Sequence, residues 1–182
     1  MKPLREKFEE LAELLITHRD TLSQGTGVPF VRLLYRPDEE LDVRELTGLL
    51  KQKLVKAGYS PVEIHCGDFP FRFYQQKNRL ELRLSTAEEH PAQSADEMGK
   101  HAEAELLAEI IGQAEIANER TILILSETGL LYPFAQLSGI LQGCENKVHV
   151  PLVILYPATV DEKRILFMGK REPGYYRTRD II

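Results

Sequence analysis

The chain has 182 residues, 43% hydrophobic and 28% charged, the make-up of one ordinary globular domain with a sizeable core. Its net charge of −5 excludes a global basic field that would draw nucleic acid. No apolar run reaches the ~18 residues of a membrane helix, and the charged start MKPLREKFEELAELL lacks a signal-peptide core, so the expected location is cytoplasmic.

The first element is a helix over 3–20, with Leu4, Phe8, Leu11, Leu14 and Leu15 at helical spacing. Ser23 to Gly27 break the pattern as a loop. Pro29 to Tyr35 is an apolar run of strand length, and helical periodicity returns from Leu41 to Ala57, with Gly58 at the C-terminal cap position. Pro61 to Phe69 reads as a second strand, and a strand–helix–strand unit favours a parallel sheet with a right-handed crossover. Leu80, Leu82 and Leu84 alternate with Glu81 and Arg83, the pattern of an edge strand. Residues 86–99 read as a loop or insertion, and Ala102 to Ala117 as a helix. A strand at Thr121–Leu125 enters the turn Ser126-Glu127-Thr128-Gly129, followed by a helix over Leu130–Leu141 with Pro133 in its first turn. Val150–Tyr156 is another apolar strand, and Arg164–Met168 an edge or antiparallel one.

The apolar strands at 30–35, 122–125 and 152–156 belong at the sheet centre, because strands buried on both faces read as continuous hydrophobic runs. The expected fold is one three-layer α/β/α domain over 1–182 with a mostly parallel sheet, similar to a P-loop protein in architecture but without a Walker A motif. Cys66 and Cys144 form no disulfide framework or zinc pattern and read as core thiols.

A strand feeding a helix through SETG is how nucleotide-binding α/β proteins place a phosphate. Yet GxxxxGK(S/T) is absent, and Glu127 would repel an anion. Ser126, Thr128 and Asp68 are the candidate ligand residues if a degenerate site persists; otherwise the turn only joins strand to helix. Ser126 has no base identifiable in sequence. His18, His65, His90, His101 and His149 form no HxxxH or HExxH, and no metal or cofactor is expected. His65 should face away from Ile64 and Cys66. FPFRFYQQKNRLELR interleaves aromatic and basic residues, as single-strand binding requires. Arg72, Tyr74, Lys77 and Arg79 are therefore the nucleic-acid candidates, with core aromatics flanked by solvated charges as the plainer reading.

The order PFVRLLYRPDEELDVRELTGLLKQKLVKAG, LSETGLLYPFAQLSGILQ and VPLVILYPATVDEKRILFMGKREPGYYRTRDII resembles the BrxB family of BREX phage-defence systems. Gly129-Leu130-Leu131-Tyr132-Pro133-Phe134, the strand Val150-Pro151-Leu152-Val153 to Tyr156-Pro157, and Tyr175-Tyr176-Arg177 carry most of it. BREX loci restrict phage and methylate host DNA. They combine a methyltransferase, a large ATPase, an alkaline-phosphatase-like protein and small accessory proteins. The resemblance implies an accessory protein working with the phosphatase-like component and carries over no catalytic residue. Tyr132, Pro133, Phe134, Tyr175, Tyr176 and Arg177 are the candidate contacts, since aromatic and arginine side chains are enriched at interfaces. The rival readings are a nucleic-acid-binding subunit and a degenerate nucleotide-binding domain.

Overall fold

Apolar strand residues alternate between two buried layers, and this alternation builds the domain. The computed structural model describes residues 2–161, 164–170, 172, 174 and 177–182. β1 (Phe30–Tyr35), β2 (Ser60–His65), β3 (Thr121–Ser126) and β4 (Leu152–Asp161) are parallel, in the order β2-β3-β4-β1, and β5 (Arg164–Phe167) folds back antiparallel on β4. The sequence gives no sign of β6 (Arg179–Ile181), three residues that pair parallel with β1. β3, β4 and β1 lie inside the sheet, as their apolar runs require.

α1 (Leu4–Thr17) and α2 (Glu40–Lys56) cover one face. Their core joins Phe8, Leu11 and Leu15 to Val31, Leu33, Ile122, Ile124 and Val153. α3 (Phe69–Gln76), α5 (Pro91–Glu115) and α6 (Leu137–Cys144) cover the other, where Leu106 and Ile140 meet Leu34, Leu123, Leu125 and Ile154. The three-layer α/β/α expectation therefore holds. Cys66 and Cys144 are buried free thiols. Gly58 takes φ +87° past the end of α2, a left-handed cap that costs glycine nothing.

Four sequence expectations are corrected. The Leu80–Leu84 strand is instead α4, Leu80–Glu89; leucine, glutamate and arginine are strong helix formers, and a helix satisfies its own backbone where no neighbouring strand is offered. Residues 86–99 are not a loop but the end of α4 and the start of α5, with Pro91 in the first turn. The strand expected to reach Phe69 stops at His65; a short 3-10 turn, Cys66–Asp68, leads into α3. The Leu130–Leu141 helix is broken: a 3-10 turn spans Thr128–Leu131, and α6 begins only at Leu137. Tyr132 is extended (φ −76°, ψ 136°), the conformation favoured before a proline, and its bond to Pro133 is cis. Gly143 lies inside the last turn of α6, against Leu107.

Candidate functional site

The parallel register sets His65 of β2 beside Ser126 of β3 at the carboxyl edge of the sheet, where open α/β sheets hold their ligands. Glu63 and His65 share one side of β2, opposite Ile64 and Cys66, so they turn toward α2 and its cations. Lys51 Nζ donates to Glu63 Oε2 at 2.6 Å, and Arg44 Nη2 reaches Glu127 Oε1 at 3.2 Å. Ser126 Oγ lies 3.2 Å from His65 Nδ1. The same nitrogen faces Glu63 at 3.8 Å and Glu127 at 4.0 Å. The chain of hydrogen bonds continues on β1, where the Tyr35 hydroxyl donates to Glu40, itself 3.5 Å from Arg44.

Burial works to raise the Glu63 carboxyl, but hydrogen bonds from Lys51 and Ser126, with the charges of Lys51 and His65, outweigh it and hold the carboxyl below its ordinary value. His65 Nδ1 faces the serine oxygen and two carboxylates. The cluster is thus a network of ion pairs, Arg44 to Glu127 and Lys51 to Glu63, with the Ser126–His65 contact inside it.

The turn after β3 closes over the same edge. Glu127 adopts φ +57°, in the left-handed region that is uncommon outside glycine. Gly67 packs so closely that a Cβ there would lie 2.7 Å from Leu130 Cδ1 and 3.0 Å from Glu127 Oε2. Thr128 is fully buried and its hydroxyl donates to the Leu155 carbonyl. Ser126 is buried within the cluster, and Asp68 is exposed at the start of α3, making no side-chain cap. Of the three ligand candidates, two are thus buried side by side in the turn and the third is exposed at the start of α3.

Beyond this turn, residues 130–136 form a loop on α3 and α5. Leu131 and Ala135 anchor it in the core. Phe134 meets Phe71 edge-on, with ring centroids 5.7 Å apart, and the Gln136 amide donates to Glu103 at 2.8 Å. Leu130 and Pro133 face outward, while Tyr132 and Phe134 are half-buried. Pro133, Phe134 and Gln136 line a groove of about 360 Å³ with Asp96, Lys100 and Glu103 of α5. Arg177 lies 3.8 Å from Glu145 at the end of α6. Tyr175 and Tyr176 lie outside the described residues.

The nucleic-acid candidates divide. Tyr74 is buried, in edge contact with Phe73 and His101. Arg72 covers the Phe69 ring and reaches Glu109 at 3.8 Å. Only Lys77 and Arg79 stand exposed. On α3, Phe69 and Tyr74 are buried, while Phe71 and Phe73 are half-buried, Phe73 stacked on His101 with centroids 3.8 Å apart. Sequence reasoning missed Glu63, Arg44 and Lys51, and left Ser126 without its neighbour. The only available signal was the pair of charged residues alternating with the apolar ones of β2. No three His, Cys, Asp or Glu side chains gather as a metal site among the described residues, and no helix there is long and apolar enough to cross a membrane.

A model of the family described as BREX protein BrxB matches residues 69–181, from the start of α3 through β6 and over half of the chain. The chain belongs to the BrxB family. It is thus a component of a BREX defence system, and other BREX proteins are its expected company. The BrxB match takes in the 130–136 loop, α6 and the tail, while β1, α2 and β2 precede it. Comparisons with curated proteins and with solved structures gave no match.

Proposed function

We propose that this BrxB-family chain is a non-catalytic accessory subunit of its BREX assembly, acting by protein contact. It binds the alkaline-phosphatase-like component through the 130–134 loop and the tail around Arg177. One observation carries this reading. At the carboxyl edge Arg44 and Lys51 pair with Glu127 and Glu63, while the adjoining loop turns Leu130 and Pro133 outward beside a charged groove. A loop with an apolar tip and a polar rim has the anatomy of an interface centre.

Co-purification of the phosphatase-like component with Leu130→Glu, Lys100→Glu and Tyr175→Ala/Tyr176→Ala variants tests it. Leu130 and Lys100 are exposed, so these changes leave the fold intact. Loss of the partner by folded variants supports the reading, and undiminished recovery with all of them overturns it.

A further inference from the structure

β1 is buried along its whole length, yet it carries an arginine in the run Phe30-Val31-Arg32-Leu33-Leu34-Tyr35. A guanidinium in such a strand costs free energy unless a carboxylate meets it. Asp180 of β6 meets it in a two-pronged geometry: Arg32 Nε donates to Oδ1 at 3.0 Å and Nη2 to Oδ2 at 2.6 Å. The Arg32 side chain is 6% exposed and that of Asp180 25%. The guanidinium also stands 4.9 Å from the centre of the Tyr156 ring, and the Thr178 hydroxyl donates to Asp180 Oδ1 at 2.8 Å. Around this pair the segment is lightly held. β6 has three residues, and from Arg177 to Ile182 Ile181 alone is buried, in the core under α1 and α2. On the other side of the sheet the chain crosses α6: a Cβ at Gly174 would lie 2.5 Å from Ser138 Cβ, and Arg177 reaches Glu145 at 3.8 Å.

We infer that Arg177–Ile182 is a releasable strap, latched by Arg32 and Asp180, that docks on the sheet edge and leaves it as one unit while the rest of the domain stays folded. A segment that buries one apolar side chain opens at a lower free energy than the core it rests on. β1 keeps its pairing with β4 along its whole length when β6 leaves. Water then reaches the uncovered edge of β1, so Arg32 exchanges the Asp180 carboxylate for hydration, and opening strands no charge in the core. Closed, the strap holds Arg177 against Glu145 of α6. Open, it frees Arg177 and uncovers Ser138, which follows the 130–136 loop by two residues. Only that last consequence bears on the proposed partner contact; the latch itself does not rest on it.

Limited trypsin digestion of the full chain, read by intact mass, tests it, with the free peptide Gly174–Ile182 giving the rate for an undocked strap. Wild type should be cut after Arg177 or Arg179 far more slowly than the peptide. Asp180→Asn keeps the size of the side chain and removes its charge. It should speed those cuts roughly tenfold or more, because cleavage tracks the open population, while the body keeps a cooperative melting transition. Ile181→Ser should release the strap by the other route, leaving the ion pair in place. Gly174→Val lifts the chain from Ser138 without touching the latch, and should speed the same cuts if the segment moves as one unit. Wild type cut as fast as the peptide overturns the inference. So do Asp180→Asn and Ile181→Ser chains cut at the wild-type rate, a Gly174→Val chain cut at that rate, or a body that loses its cooperative melting whenever the strap is released.

Discussion

Gly99→Ala offers the sharpest check on how the 130–136 loop is held. A Cβ at Gly99 would stand 1.9 Å from the Phe134 carbonyl oxygen and 2.8 Å from its carbon. A carbon–oxygen contact needs about 3.3 Å, so helix and loop must part by about 1.4 Å. Overpacking of this kind costs ~1–3 kcal/mol. Separation also strains the Phe71–Phe134 ring contact and the Gln136–Glu103 hydrogen bond, each worth about 1 kcal/mol. Against this stands a helix-propensity gain of ~1 kcal/mol for replacing glycine with alanine. The expected net loss is about 2–4 kcal/mol, a fall of roughly 5–15 °C in Tm for a chain of this length. Gly112 in the same helix is the control, because its Cβ would meet nothing within 4 Å; Gly112→Ala should be neutral or stabilising by up to ~1 kcal/mol. Urea unfolding followed by circular dichroism measures both. A Gly99→Ala protein as stable as Gly112→Ala would refute the claim that backbone contact seats the loop.

Further outcomes follow from the carboxyl-edge cluster and the buried groups. Because the folded Glu63 carboxyl sits below its unfolded value, its contribution is present above the unfolded pKa of about 4.3 and disappears as pH falls through the folded value. Glu63→Gln should therefore lower the urea midpoint at pH 7, with the gap from wild type closing on acidification; a gap that widens would contradict the sign. Burial raises both thiols, Cys144 to about 12, so neither should react with a disulfide reagent at pH 8 until the chain unfolds, and rapid native labelling would show the core open. Nucleotides, with or without magnesium, should leave Tm unchanged, whereas a rise with nucleotide concentration would reveal a ligand of the native state. Single-stranded oligonucleotides should give no salt-dependent complex, since Tyr74 is buried; a shift lost in Lys77→Ala/Arg79→Ala would restore the nucleic-acid reading.

Much of the sheet was legible because buried parallel strands leave an unmistakable apolar run, as 30–35, 122–125 and 152–156 do. The errors have local causes. Residues 80–84 alternate like a strand, and only the missing neighbour tells them from a helix. Residues 86–99 carry His90, Pro91 and Ser94, loop residues by composition, yet Pro91 starts a helix and Ser94 is buried in it. β6 is invisible because its three residues owe their place to pairing with β1, including the bond between Arg32 and Asp180, which spans most of the chain. The candidate site was half legible. Ser126 and Glu127 were visible in their turn, but their neighbours come from β2 and α2 through a register that no local pattern encodes.

That register also sets which charges stand at the carboxyl edge of the sheet. A phosphate at the carboxyl edge needs outward-facing donors and local positive charge. Here Glu127 takes the left-handed position of the turn, and Glu63 lies behind it on β2. Both available cations, Arg44 and Lys51, are already bound to these carboxylates. A ligand charge within about 5 Å of Glu127 would meet a repulsion of ~3 kcal/mol at an effective dielectric constant near 20, and freeing Arg44 to receive it would uncover that carboxylate. Thr128 donates its hydroxyl to the Leu155 carbonyl, and Ser126 lies against His65. These contacts tie β2, β3, β4 and α2 together. The 130–136 loop follows directly from this cross-linked edge.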